Sequence, residues 1–487
     1  MKRKLQTNST AIPSAPQTPD GLIPDELDID RETGALPQSL AQPTANPGDI
    51  ILCRTSNGEP VIWPRQDRFL HMLVLGPLGC GKTSSSVLPM ILQDIQNPEW
   101  GVTVLDPTGE LAIKTHMTAK SHGRKSIFFD PTYDNCPKFN PLSGNETDVI
   151  ENIASTFKML NPDSPQFFMD LNEQLLRNAI KVLKRLDKNE RTDGKYATLI
   201  WLDRFLKNTG GWGKELVRNF VKIIADSESE AAENRDIVNW FLNDYFPERS
   251  KVYENTSGIR SQIGKLVSNV FLRDALNPNF EKGEKNEIDF ADHLANGGVL
   301  CISTAQSDLR DLSKYLGYLL ILSLQSSIAH RPGTRQTRRP HSVYLDSFPT
   351  YATPDFAYML NQGRSCCVSY VLAAQSHAQI AINGGKNGKN LLELILSKIR
   401  NFILYPGLSK KDAQYYAEQF ANSLTINDII YGVESGERQG VITYSIVRNN
   451  ALQPAGTGYV RCIPSELNYN LDIMAEEYSD SLCRRNW

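Results

Sequence analysis

The 487-residue sequence lacks the marks of several large protein classes. It has no apolar run of about 18 residues or more, the length a membrane-spanning helix needs. The nearest, YLGYLLILSLQSSIA at 315–329, is broken by Ser323, Gln325, Ser326 and Ser327, which is a buried-helix pattern. The opening MKRKLQTNSTAIPSAPQTPD carries basic residues but no apolar core, which excludes a secretory signal. The eight cysteines form no CxxC pair and the seven histidines no HExxH, so the usual zinc spacings are missing. Cys301, Cys366 and Cys367 lie inside apolar runs, as reduced, buried thiols of a cytosolic protein do. An excess of positive charge is also missing. Fifty-two Lys and Arg face 55 Asp and Glu, for a net charge of −3. Any nucleic-acid binding must therefore come from a local patch or channel. No internal repeat is visible.

What is present is ordinary globular composition, 40% hydrophobic and 22% charged, which excludes a fully disordered chain, a collagen and a coiled coil. The length predicts about two to four domains. Residues 1–48 are rich in Pro, Thr, Gln and Asp and read as a disordered or extended arm. From 49 onward, short apolar runs alternate with helical segments. DIILCR (49–54) and EPVIW (59–63) flank the hairpin signal Ser56-Asn57-Gly58. HMLVL (71–75), GVTVL (101–105) and SIFFD (126–130) are strands, with helices at 82–95 and 110–120. From about 141 to 289 helical periodicity dominates, with segments at 148–159, 167–188, 198–208, 212–226 and 234–243. Alternation then resumes with strands at 298–304, 342–346, 366–373 and 401–405 and helices at 312–330, 354–362, 375–382, 390–400 and 410–421. This pattern predicts an α/β fold with a parallel sheet and crossover helices. The α/β domain, 49–140 and 290–465, is split by an all-α insertion at 141–289. A tail at 466–487 follows, and its Asp472, Glu476, Glu477 and Asp480 belong to a frayed terminus or to a dock for a basic partner.

The strongest chemical signal is Gly76-Pro77-Leu78-Gly79-Cys80-Gly81-Lys82-Thr83, a GxxxxGK[ST] run with a strand before it and a helix after it. Its glycines let consecutive backbone N–H groups face phosphate oxygens, and the following helix adds its positive end. Lys82 is then the cation for the β- and γ-phosphates and Thr83 the hydroxyl ligand of Mg²⁺, with Ser84 completing the ATP-binding turn. A carboxylate at the end of a neighbouring strand should hold the Mg²⁺ through water. Asp346 and Asp106 are the two candidates. Ser347 stands where most ATPases of this architecture carry a Glu that polarises the attacking water, so either hydrolysis is slow or another carboxylate such as Glu110 serves. Gln375, after the strand at 366–373, is placed to sense the γ-phosphate. Arg364 precedes that strand, at the edge of the sheet away from the P-loop, where it could reach only a neighbouring subunit's nucleotide. RPGTRQTRR at 331–339 is a solvated turn or a phosphate-contacting or intersubunit loop.

In this order the motifs resemble the coupling-protein ATPases of type IV secretion systems, the TraG/TraD class of conjugative DNA-transfer motors. The residues that carry the likeness are HMLVLGPLGCGKTSSSVLP (71–89), VLDPTGELA (104–112), FFDPTYDNCPKFNPLSG (128–144), SPQFFMDLNEQLLRNAI (164–180), VYLDSFPTY (343–351), GRSCCVSYVLAAQSHAQI (363–380) and NFILYPG (401–407). The resemblance runs from about 49 to 464. It implies a RecA-like P-loop NTPase domain interrupted by an all-α domain, a homo-hexamer, and recruitment of a relaxase–DNA substrate to a membrane channel. It also makes Lys82 and Thr83 the nucleotide-binding pair, Asp346 the acid of the second Walker motif, Gln375 the family glutamine and Arg364 the family's Gly-Arg position. The chain departs from the pattern at Ser347, where the family has Glu, and at Thr108, where it has Lys. The family's N-terminal membrane helices are absent from the sequence. The implied location is the cytoplasm, or the inner face of the cell membrane through a separate anchor protein. Two other readings stand beside this one: a cytosolic DNA pump of the FtsK/HerA type, and a nucleotide-binding adaptor with little turnover.

Overall fold

The computed structural model describes residues 46–54, 60–161, 163–192, 194–405, 407–420 and 460–462. The tail at 466–487, the turn at Ser56-Asn57-Gly58 and all but the last three residues of the arm at 1–48 lie outside the described residues. Among the described residues there are ten strands: β1 Ile50–Arg54, β2 Pro60–Trp63, β3 Met72–Leu75, β4 Gly101–Asp106, β5 Ser126–Phe129, β6 Val299–Ser303, β7 His341–Leu345, β8 Val368–Ala374, β9 Asn401–Leu404 and β10 Val460–Cys462. β1 and β2 form an antiparallel hairpin of their own, and the other eight form one sheet in the order β10-β9-β3-β8-β7-β4-β6-β5. The β3–β8, β3–β9, β4–β6, β4–β7, β7–β8 and β9–β10 pairs all run parallel. Strands covered on both faces must be apolar along their whole length. MLVL, VLCIS, VSYVLAA and NFIL are accordingly buried at every position. The fold is the α/β fold with a parallel sheet and crossover helices that the alternation of runs predicts. The run pattern predicts no strand at β10.

Parallel pairing puts the strand ends that matter side by side. Leu75 pairs with Ala374, and Leu345 pairs with both Leu372 and Leu105. The turn after β3, the residue after β8 and the residue after β7 therefore leave from one edge of the sheet. Ligands in open α/β sheets bind at that carboxyl edge.

At the opposite edge Arg68 is fully buried. Its guanidinium donates to Asp94 Oδ2 at 2.6 Å, Ser342 Oγ at 2.7 Å and the Gly48 carbonyl at 2.8 Å, and lies 3.9 Å above the Trp100 ring. Tyr344 donates to the same Asp94 oxygen at 2.7 Å, and Trp100 Nε1 to Ser342 Oγ at 2.6 Å. The pair ties the helix Leu88–Gln96 and β7 to the segment between β2 and β3. A buried charge is tolerated only when its partner and hydrogen bonds are in place.

The chain divides into two compact units. One is Phe129–Ala291 with Thr304–Ser327; the other holds the described residues up to Phe128, Asp292–Ser303 and those from Ile328 onward. The first is helical, built on Glu146–Met159, Gln166–Glu190, Leu199–Lys207, Trp212–Phe220, Glu228–Trp240 and Ser257–Ser268. Most of the helix Asp311–Ala329, grouped by sequence pattern with the sheet, belongs to this unit. Its Tyr315 packs edge-on to Phe157 and its Ser326 donates to Asn152 Oδ1 at 3.0 Å. The helix expected over 212–226 stops at Phe220, and the next starts at Glu228 rather than 234. The reason is a cap: Ser227 Oγ accepts from Glu230 N, while the Glu230 carboxylate accepts from Asp226 N.

Removing one member of the buried ion pair should be costly. Asp94→Ala is expected to lose about 3–5 kcal/mol, read as a lower urea midpoint, because it strands the Arg68 charge. The combined change Arg68→Met with Asp94→Leu should cost much less, since no charge remains to be stranded.

Candidate nucleotide site

The turn after β3 is shaped by its glycines. Gly79 and Gly81 have φ of 77° and 85°, in the left-handed region that a side chain disfavours. Gly76 is needed for another reason: a Cβ there would sit 2.4 Å from Tyr405 Cβ and 2.7 Å from Cys80 Sγ. The helix that follows opens with a π turn, Lys82–Val87, before the α-helix Leu88–Gln96. This differs from the regular helix expected over 82–95. Pro89, with no backbone N–H to give, stands where the geometry changes.

Lys82 folds over the turn, its ammonium donating to the Gly76 and Pro77 carbonyls at 2.8 and 2.7 Å. Thr83 Oγ1 donates to Asp346 Oδ2 at 2.9 Å. That bond joins the first turn after β3 to the residue after β7, across the end of β8. The other Asp346 oxygen accepts from Ser347 N at 3.0 Å. Burial pushes the Asp346 carboxyl up from its ordinary value, helped by the charge of Asp106 and opposed by Thr83, Ser347 N–H and Lys82. Burial likewise raises the Cys80 thiol, with the Lys82 ammonium acting against it.

Asp106 stands at the end of β4, beside β7, but its oxygens are occupied. They accept from Thr108 N and Thr108 Oγ1, both at 2.9 Å, and from Leu111 N at 2.8 Å. It fixes the Asp106-Pro107-Thr108 turn and the start of the helix Glu110–Ser121. Asp130, in the second Asp-Pro-Thr run, accepts from Thr132 N and Oγ1 in the same way. Of the two candidates for the metal-holding acid, Asp346 is the one that meets Thr83.

The remaining sequence-derived residues divide by edge. Glu110 is the exposed first residue of its helix. Gln375 is exposed at the end of β8, directly beside the P-loop, where Gly76 N donates to the Ala374 carbonyl at 3.2 Å. Leu78 is 84% exposed at the tip of the turn, and Ser84 is exposed with its hydroxyl 3.4 Å from the Gly81 carbonyl. Arg364 is exposed in the last turn of the helix Pro354–Cys366, before β8 begins and so at the other edge. Sequence reasoning missed Tyr405 and Ser86. The Tyr405 hydroxyl lies 2.7 Å from Ser86 Oγ and donates to the Gly81 carbonyl at 3.3 Å, bracing the turn from the end of β9. Only the β3–β9 pairing reveals this contact, and no local motif marks it.

Residues 37–230 match the sequence profile of the family described as type IV secretory system conjugative DNA transfer. The match takes in the P-loop and Glu110 and ends before Asp346, Arg364 and Gln375. Among solved structures, the chain is similar to the plasmid coupling protein TrwB in complex with the non-hydrolysable ATP analogue ADPNP. The two are 16% identical over 75% of this chain and 78% of that one, with a TM-score of 0.51. VirB4 of Thermoanaerobacter pseudethanolicus is 13% identical over 77% and 88%, with a TM-score of 0.46. Comparison with the curated proteins found no match. The TrwB likeness shows a shared fold.

The raised Asp346 carboxyl makes a stability prediction with a definite sign. The folded state holds this proton more tightly than the unfolded chain, so the contribution is present below the unfolded value and is lost as pH rises through the folded value. Asp346→Asn should therefore unfold at higher urea than the wild type at neutral pH. In acid the difference should close, as measured by denaturant titration across pH.

Proposed function

We propose that this protein is an ATP-dependent coupling protein of a conjugative type IV secretion system, recruiting a relaxase–DNA substrate and driving DNA toward a membrane channel. One observation carries the nucleotide part: the Thr83 hydroxyl and the Asp346 carboxylate meet at 2.9 Å beside a turn whose glycines adopt left-handed geometry. The donor set fits Mg-ATP. A hydroxyl and a carboxylate are hard oxygen ligands for Mg²⁺, and the turn's N–H groups with Lys82 suit phosphate oxygens. The family match over residues 37–230 and the fold shared with TrwB support the DNA-transfer part.

Bound Mg-ATP supplies a phosphoanhydride whose cleavage can drive movement. Lys82, now on the Gly76 and Pro77 carbonyls, would bind the phosphate oxygens, and the Thr83 hydroxyl would be a ligand for the metal. Asp346 would help hold the metal, and Gln375, beside the P-loop, would sense the γ-phosphate. Arg364, at the other edge, serves a neighbouring subunit's nucleotide in a homo-hexamer. In this reading a partner protein attaches the chain to the channel; among the described residues no helix is long and apolar enough to cross a membrane.

One observation favours a second reading, an adaptor that binds ATP with little turnover. Ser347, in the place of the usual base, is an exposed hydroxyl held at φ 55°. A hydroxyl is a poor base at neutral pH.

Steady-state ATPase with and without DNA separates the readings. DNA-stimulated turnover that Lys82→Ala abolishes is expected of the motor. Tight Mg-ATP binding without turnover under any condition would select the adaptor, and absence of binding in calorimetry would remove both. If the missing carboxylate limits chemistry, Ser347→Glu should raise the rate about 10²-fold or more, the usual contribution of a positioned general base.

A further inference from the structure

A chain with a net charge of −3 can hold a polyanion only through a local feature. The structure contains one outside the nucleotide site. A cavity of about 560 Å³ opens where β7 and β8 begin, with Pro340 and Cys367 in its wall. This is the edge of the sheet away from the P-loop. Arg65, Arg335 and Arg338 line it, and Asp49 is the one acid among its lining residues.

The arginines of the 331–339 loop are not equivalent. Arg331 donates to the carbonyls of Cys366, Leu294 and Arg339. Arg338 donates to those of Pro332, Ser365 and Arg331, and Arg339 to that of Pro98. These three build the loop. Arg335 is exposed, and among the described residues its guanidinium has no hydrogen-bond or ion-pair partner. Its backbone is nevertheless pinned, since its carbonyl accepts from the buried Cys367 thiol at 3.2 Å. Across the cavity Arg65 is in the same condition. Its backbone N–H donates to Asp49 Oδ1 at 2.7 Å, its guanidinium stands over the Trp100 ring at 5.8 Å, and among the described residues that guanidinium has no carboxylate or carbonyl partner. Asp49 does not neutralise the cleft by pairing with either fork, because its oxygens accept from Arg65 N and Asn46 Nδ2.

Two guanidinium forks are thus presented from separately anchored elements into one cleft. We propose that the cleft binds the phosphodiester backbone of DNA, with Arg65 and Arg335 as its phosphate ligands. The assignment of DNA rests on the functional reading above; the anion site does not. A polymer charged at every unit meets both forks at once, whereas a lone carboxylate meets one.

The test is fluorescence anisotropy on the full chain, with labelled mixed-sequence oligodeoxynucleotides, single-stranded and duplex, over a range of salt. Arg65→Gln with Arg335→Gln should bind at least about tenfold more weakly near 0.1 M salt, and its salt slope should fall by roughly 1.4 to 1.8, the loss of two released counterions. Arg218→Gln with Arg235→Gln, exposed arginines of the helical unit, is the control and should match the wild type. Thermal melts establish that each variant is folded. A double variant with the wild-type affinity and slope overturns the proposal, as does a wild type that binds neither oligonucleotide. Polyglutamate competing as well as unlabelled oligonucleotide would reassign the cleft to acidic peptides and overturn the DNA assignment. Mg-ATP calorimetry on the same proteins keeps the two ideas apart: lost oligonucleotide binding with intact nucleotide binding supports the cleft, and a wild type that retains no nucleotide fails the motor alone.

Discussion

The hydrogen bond between Thr83 and Asp346 joins residues 263 positions apart, and the site exists only because the sheet makes that meeting possible. Neither residue is placed by its neighbours in sequence. Parallel pairing of β3 with β8, and of β8 with β7, sets the two strand ends level, one strand apart. Closing so long a loop is entropically unfavourable, and one part-buried hydrogen bond could not sustain it. The apolar strands do. Met72–Leu75, His341–Leu345 and Val368–Ala374 are buried at every position, so a register slip would displace whole rows of packed side chains.

The two edges of the sheet meet different demands. At the carboxyl edge polar groups are left partly open: Asp346 is half-buried, and Gln375 and Ser347 are exposed. At the other edge Arg68, Asp94, Ser342, Tyr344 and Trp100 form a closed network. The closed network fixes where β7 enters the sheet, and that position determines where Asp346 leaves it. Rigidity at one end of a strand is thereby converted into precision at the other, which the metal-holding role proposed for Asp346 requires.

Much of the fold was legible because its signals are local. Apolar runs of four to seven residues mark β3, β4, β6, β7, β8 and β9, and all but that of β8 have a Gly or Pro at or within two residues of an end. The P-loop could be read because its chemistry needs certain residue types at fixed spacing. What escaped was non-local or turned on one hydrogen bond. Tyr405 braces the turn only because β9 lies beside β3. The helix Glu228–Trp240 starts early because Ser227 and Glu230 cap it, a pattern present in the sequence but outweighed by periodicity. The four arginines at 331–339 look alike in sequence; their carbonyl partners alone separate the three that build the loop from Arg335.

The same logic distinguishes two aspartates that sequence alone left as rivals. Asp106 ends β4 and Asp346 follows the adjacent β7 at nearly the same level, and Asp346 sees the Asp106 charge. Residue type and position do not separate them. Donor supply does. The turn at Asp106-Pro107-Thr108 and the helix behind it deliver three donors to Asp106, and a carboxylate so bound is committed to the backbone it organises. Beyond Asp346 the chain turns through left-handed Ser347 into Phe348–Tyr351, so the backbone brings one N–H to that carboxylate, and its other oxygen faces Thr83. Two unsaturated carboxylates so close would repel strongly in a half-buried site. Saturating one with N–H and O–H dipoles lets the other stay available, while burial, with the Asp106 charge adding to it, raises that carboxyl's affinity for protons, an effect that a divalent cation would oppose.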